Sequence, residues 1–257
     1  MPARESEALI LRSYPYREAD LIVSFFARDR GKLRGIARGV RRPKSRFGSA
    51  LERLSHVQIG YFQKQTTELV RVDTGELLRP PLLMRADYET SLALDYVAEV
   101  ADGLLPDHEP QDAYFRLLAL VVDEFWNQAR EKPHPGWQNR ILVYFGLWSL
   151  RLSGWLPPLN VCLETGVELP LDGLAWFDRS YDGLLSAEAR TQQSWPLSSE
   201  SRQLAGEMLR TSLPALSSEG WKPDSARDLR RFINQRLESH LEKRLKTLQR
   251  LEEALAC

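Results

Sequence analysis

The apolar residues of this 257-residue chain change period at Pro80-Pro81, from two before it to about 3.6 after it. A period of two belongs to strands and a period of 3.6 to helices. Two prolines in succession end a sheet and restrict the residue before them. The reading is an α+β chain, with a barrel-forming domain at 1–80 and a mainly α-helical domain at 82–257.

Five short strands are expected in the first part: Ala8 to Tyr14, Asp20 to Phe26, Lys32 to Val40, Glu52 to Gln63 and Thr67 to Gly75. In the third, Lys32, Arg34 and Arg38 share one parity, while Leu33, Gly35, Ala37 and Gly39 share the other. Charges therefore face outward and small residues inward, which suits a tightly curved sheet where backbone passes close to backbone. With a long loop between the third and fourth strands, this is the pattern of a five-stranded OB-fold barrel.

Helices follow. The spacing predicts one from about Leu83 to Leu105 and a second that starts at Asp112 as N-cap and runs through Phe125. A third covers Ile141 to Trp155 and is closed by Gly154 and Pro157. Residues 156–196 are irregular. Beyond them, helices are expected at Ser199 to Leu213 and Ser225 to Leu255, the last with Ser225 and Asp228 as a capping-box-like pair.

Charge is segregated along the chain. Residues 1–48 carry twelve Lys or Arg against five Asp or Glu, and the remainder carries twenty-three against thirty. Most of the excess lies between Arg28 and Arg46, where Asp29 is the single acid among nine cations. Such a face suits a polyanion, with nucleic acid the first candidate and a solvated loop or an anionic membrane surface the alternatives. The segment Arg41-Arg42-Pro43-Lys44-Ser45-Arg46-Phe47-Gly48 is a loop by its Pro and Gly. Its cations suit phosphates, and Phe47 is the candidate for stacking on a base, or else an anchor tucked into the barrel.

No chemistry-bearing motif stands beside it. His56, His108, His134 and His240 sit in separate segments, and HExxH, GxSxG and GxxxxGKS/T are all missing from the sequence. Cys162 and Cys257 make no disulfide framework, and no apolar run approaches the ~20 residues of a membrane span. The expectation is a soluble, cytoplasmic protein with no catalytic residues and no membrane contact.

Three stretches resemble the RecO family of bacterial recombination mediators. They are Ala8 to Arg12 with Tyr16 to Asp20, then Gly31 to Glu52, and finally Leu229 to Phe232 with His240-Leu241 and Leu245 to Thr247. A weaker match runs from Phe145 through Gly154-Trp155 to Cys162. The resemblance implies a protein without enzymatic turnover that binds single- and double-stranded DNA and anneals complementary strands. It further implies work with RecR to load RecA, and engagement of the acidic C-terminal tail of single-strand-binding protein. Carried over by position, the DNA contacts are Lys32, Arg34, Arg38, Arg41, Arg42, Lys44 and Arg46.

Two departures from the family pattern carry expectations of their own. Many members hold zinc with two CxxC pairs, where this chain has Cys162-Leu163-Glu164-Thr165 and Ser186-Ala187-Glu188-Ala189. One thiolate of four cannot close a tetrahedral site, so no zinc is expected and the packing of Trp176, Phe177, Tyr181 and Leu185 is expected to hold the insert. Glu242-Lys243-Arg244 stands where the family often has Gly and Pro, which predicts an unbroken last helix. A rival reading makes the chain an interaction module for the acidic tail, with Trp137, Arg140, Tyr144, Trp148 and Arg151 around one helix.

Overall fold

Five strands close on themselves in the order β1-β2-β3-β5-β4: β1 Arg4–Tyr16, β2 Asp20–Ala27, β3 Gly31–Ala37, β4 His56–Phe62 and β5 Val70–Leu77. This computed structural model describes residues 3–63, 68–79, 87–130, 136–170, 172–217, 221–222 and 225–255. Every neighbouring pair is antiparallel except β3 and β5, which run parallel. That single parallel closure is the OB-like arrangement the strand pattern predicts. The inward residues Ala8, Ile10, Val23, Phe25, Leu33, Val57, Ile59, Tyr61 and Val72 fill the barrel. Gly35 is needed where β3 meets β5, since a Cβ there would lie 2.7 Å from Val70 Cγ2 and 2.9 Å from the Val70 carbonyl oxygen. The expected role of small inward residues is met at that position.

Two compact units make up the chain, Met1–Glu131 with Thr247–Ala254, and Lys132–Lys246 with Leu255–Cys257. The expected boundary at Pro80-Pro81 lies outside the described residues. The packing boundary falls later than the change of period, because helices α1 (Tyr88–Leu104) and α2 (Asp112–Gln128) cover part of the barrel's outer face. Phe26 alternates outward from the barrel core yet is fully buried, its ring 6.5 Å from that of Tyr114 and 5.7 Å from that of Phe115. Asp87 caps α1 by accepting the Thr90 N–H at 2.8 Å. Asp112 is the first residue of α2 rather than its cap, and its carboxylate accepts from Arg28 Nε at 2.8 Å.

The second unit is built on α3 (Trp137–Leu152), α4 (Ser199–Met208) and α5 (Arg227–Leu241). Between α3 and α4 the insert forms a small sheet in the order β7-β6-β8, from Leu184–Leu185, Ala175–Phe177 and Trp195–Leu197. Phe177 and Leu185 are buried there, and Trp176 and Tyr181 half-buried. Buried Arg202 ties the insert together, donating to the carbonyl oxygens of Leu159 at 3.2 Å and Gly173 at 2.6 Å, and also to that of Pro170.

Two expectations for the C-terminal region are corrected. Ser225 and Asp228 form no capping box. The Asp228 carboxylate accepts the Ser198 N–H at 2.6 Å and the Ser201 hydroxyl, at the start of α4 instead. The last helix is also broken. Glu242 turns left-handed (φ 51) after α5, the Glu238 carboxylate takes the Leu245 N–H at 2.9 Å, and helix resumes as α6 (Leu248–Leu255). A side chain thus supplies the acceptor that the helix would have offered, and no Gly or Pro is needed to stop it.

Candidate nucleic-acid interface

The segment between β3 and β4 is a chain of tight turns. Arg42 N–H donates to the Gly39 carbonyl at 3.2 Å, Ser45 N–H to that of Arg42 at 3.1 Å, and Ala50 N–H to that of Phe47 at 2.9 Å. Its first end is pinned to the β1–β2 turn, where Gly39 N–H donates to Asp20 Oδ1 at 2.9 Å and Arg41 N–H to the Ala19 carbonyl at 3.0 Å. Gly39 makes that turn with φ of +70, a conformation glycine takes without cost. Its far end is pinned by burial, since Phe47, Ala50 and Leu51 belong to the barrel core.

These anchors hold a basin of about 700 Å³ lined by Arg17, Arg38, Arg42, Lys44, Arg46 and Arg71, with Asp20 and Asp73 as its acids. Neither acid is idle. Asp20 accepts from the Gly39 backbone, and Asp73 takes both a nitrogen pair from Arg71, at 2.9 Å each, and Arg46 Nη2 at 4.0 Å. The paired carboxylate raises the Arg71 pKa, so that cation is fixed in charge and place. Among the described residues no carboxylate lies within ion-pair distance of Arg34, Arg38, Arg41, Arg42 or Lys44, all of them exposed. Arg17 and Lys44 both hold left-handed backbone, with φ of 54 and 62, a strain of order 1 kcal/mol each that concentrates at this basin.

The seven cations expected from sequence are therefore divided. Arg38, Arg42, Lys44 and Arg46 line the basin, while Arg34 and Arg41 are exposed outside its lining. Lys32 is corrected. It is 6% exposed, with Nζ donating to the Asp102 carbonyl at 2.8 Å and lying 3.3 Å from Asp107. Parity did turn it outward, but the α1–α2 connection covers that end of β3, where His108 N–H donates to the Lys32 carbonyl at 2.9 Å. Phe47 is corrected as well. It is 3% exposed inside the barrel core, with the Arg46 guanidinium 5.0 Å from its ring centroid, so it anchors the loop and offers no face to a base.

Sequence reasoning missed Arg17 and Arg71. The closed strand order held the signal for Arg71: once β5 lies beside β3, Arg71 pairs with Ile36 and stands next to Arg38. Of the side chains the rival reading sets around one helix, Trp137, Arg140 and Tyr144 are buried on α3, while Trp148 is half-buried and Arg151 exposed. Arg140 Nη1 donates to the Leu216 carbonyl at 2.7 Å, and Trp148 Nε1 to that of Met208 at 3.0 Å.

The CxxC remnants meet in space. Cys162 is fully buried and its Sγ accepts the Ser186 N–H at 3.2 Å. Burial pushes that thiol up, but hydrogen bonds from Thr165, Ser186 and Glu164 outweigh it and bring the pKa down to about 7. The four positions that would hold zinc are Cys162, Thr165, Ser186 and Ala189, a donor set that does not fit a closed tetrahedral site. No group of three His, Cys, Asp or Glu that could hold a metal occurs among the described residues.

A closed five-strand barrel bearing a cation-lined basin, followed by helices, defines an OB-like protein of the α+β class. The family described as Recombination protein O N terminal matches residues 1–81, and Recombination protein O C terminal matches residues 85–249. The chain is 43% identical over 249 residues to a DNA repair protein RecO from Koribacter versatilis, covering 97% of this chain and 98% of that one. It is 34% identical over 177 residues to one from Cutibacterium acnes (68% and 70% covered) and 29% identical over 247 residues to one from Anaeromyxobacter sp. strain K (95% and 94%). The chain belongs to the RecO family of DNA repair proteins. No helix among the described residues is long and apolar enough to cross a membrane.

Proposed function

We propose that this chain is a non-catalytic, cytoplasmic DNA-binding mediator of recombinational repair. It binds single- and double-stranded DNA at the cationic basin and anneals complementary strands. It works with RecR to let RecA load, and engages the acidic tail of single-strand-binding protein. Support for the partner proteins comes from family membership, and support for the DNA contact from the site itself. One observation carries the reading: six cations from three separate stretches of the chain converge on one basin whose two acids are already engaged. Two strands repel through their phosphates, and a basin that neutralises both lowers that barrier. The basin offers no evident base-reading code, so its binding is tolerant of sequence and dependent on salt. In this reading the chain also works without zinc, and stoichiometric zinc in a metal analysis would overturn that part.

If each of the six cations meets a phosphate, log affinity for single strands falls with log salt at a slope of about −4. Replacing Arg42, Lys44 and Arg46 together by Ala should reduce that magnitude by about 2 and abolish annealing. Lys32→Ala, which alters no exposed charge, should leave the slope where it is. Fluorescence anisotropy across a salt series reads both. A triple variant with the wild-type slope would remove the basin from the interface.

A further inference from the structure

The basin shares Arg38 and Arg71 with a second cavity of about 530 Å³, whose other walls include Ile36, Phe62, Leu69 and Val70. Its character is opposite to the basin's: apolar side chains make the walls, and the cations stand at the border between the two. We propose that this cavity takes an unpaired nucleobase of a single strand whose phosphates occupy the basin. The proposal rests on the DNA-binding reading and adds to it a means of telling single strands from duplex.

The strand register builds the site. Arg71 on β5 pairs with Ile36 on β3 and with Phe62 on β4, so the three form one row across the outer face of the barrel. Phe62 and Ile36 are half-buried, and the Arg71 guanidinium lies 5.3 Å from the Phe62 ring centroid. Asp73 grips that guanidinium by two nitrogens, which fixes its plane before any ligand arrives. A ring and a fixed guanidinium are the two surfaces on which bases stack irrespective of sequence. Glu68 also lines the cavity, and its carboxylate repels a phosphate there. A phosphate is therefore directed to the Arg38–Arg71 border and an uncharged base to the apolar interior. A base within duplex is stacked and paired and cannot enter without leaving its partner, so formation of the duplex empties the cavity.

Two strands of equal length and phosphate count test this on the full chain: oligodeoxythymidine, and the same backbone with abasic sites. Wild type should bind the strand with bases about tenfold more tightly. Phe62→Ala should erase that preference while leaving the affinity and salt slope for the abasic strand unchanged, and Phe62→Tyr should keep it. Leu69→Ser, at the exposed margin of the same cavity, serves if Phe62→Ala fails to fold, and should weaken the preference in the same direction. Equal binding of both strands by wild type would overturn the cavity assignment yet leave the basin's phosphate reading intact, whereas failure to bind either strand would overturn both. A Phe62→Ala protein that retains the base preference but no longer binds an acidic peptide bearing one tryptophan would give the cavity to a protein partner instead.

Discussion

Lys32 and Arg42 carry the same charge in one short basic run, yet one is sealed under the α1–α2 connection and the other lines the basin. Charge type is legible in a sequence, but whether a neighbouring element covers that charge is not. Cys162 shows the same dependence on surroundings. It is a buried thiol, which by burial alone would resist ionising, and its hydrogen-bond donors reverse that. In a Cys257→Ser background, absorbance at 240 nm should show Cys162 ionising near pH 7 rather than the ordinary ~8.5. Because the folded pKa is the lower one, its contribution to stability is complete above the unfolded value and is lost as pH falls through about 7. Wild type should therefore gain about 2 kcal/mol between pH 6 and pH 9 relative to Cys162→Ser, read by urea unfolding. A thiol that titrates at or above its ordinary value would show that the donors do not hold the sulfur.

Among the elements, the parallel pairing of β3 with β5 closes the barrel, and Gly35 sets how near the two strands come. A methyl group there meets the Val70 backbone, which a rotamer change cannot move. Gly35→Ala should cost ~1–3 kcal/mol in urea unfolding, the usual range for overpacking. A variant as stable as wild type would mean that the strands separate freely at that point. The five strands were readable because alternation is a local property, expressed within each segment. The break after α5 was not readable, because it depends on the Glu238 side chain reaching the Leu245 amide and on Glu242 adopting a left-handed turn. The sequence around it shows helical apolar spacing throughout, so periodicity alone extends the helix. Capping failed for a related reason: Asp228 finds its partners at α4, far along the chain.

At the scale of the whole molecule, chain order and compact units do not coincide. Residues Thr247–Ala254 belong with the barrel and its two helices, although more than a hundred intervening residues build the other unit. Thr247 donates to Glu99 Oε2 from its N–H at 2.9 Å and from its hydroxyl at 2.7 Å. Removing residues 247–257 should therefore destabilise the barrel unit and lower its DNA affinity at 37 °C, although no basin residue is lost. Thermal unfolding followed by a DNA-bound fluorophore would show this, and unchanged binding and melting would rule it out. The charge asymmetry was visible from the start and led to the part of the barrel where the basin lies. Arg17 and Arg71 were hidden because they join the basin only through the folded strand order. That part of the site is a property of topology and appears in no local stretch of residues.

The loop that carries four of the basin's cations is staked into the barrel by Phe47. This divides its tolerance of mutation in an uneven way. Exchanging any one cation subtracts a single charge from a shape that persists. Exchanging Phe47 releases the shape, and with it every charge the loop presents. A survey of inactivating substitutions in this segment would thus find its most damaging position at an uncharged residue that never meets the ligand, surrounded by charged positions that are individually dispensable.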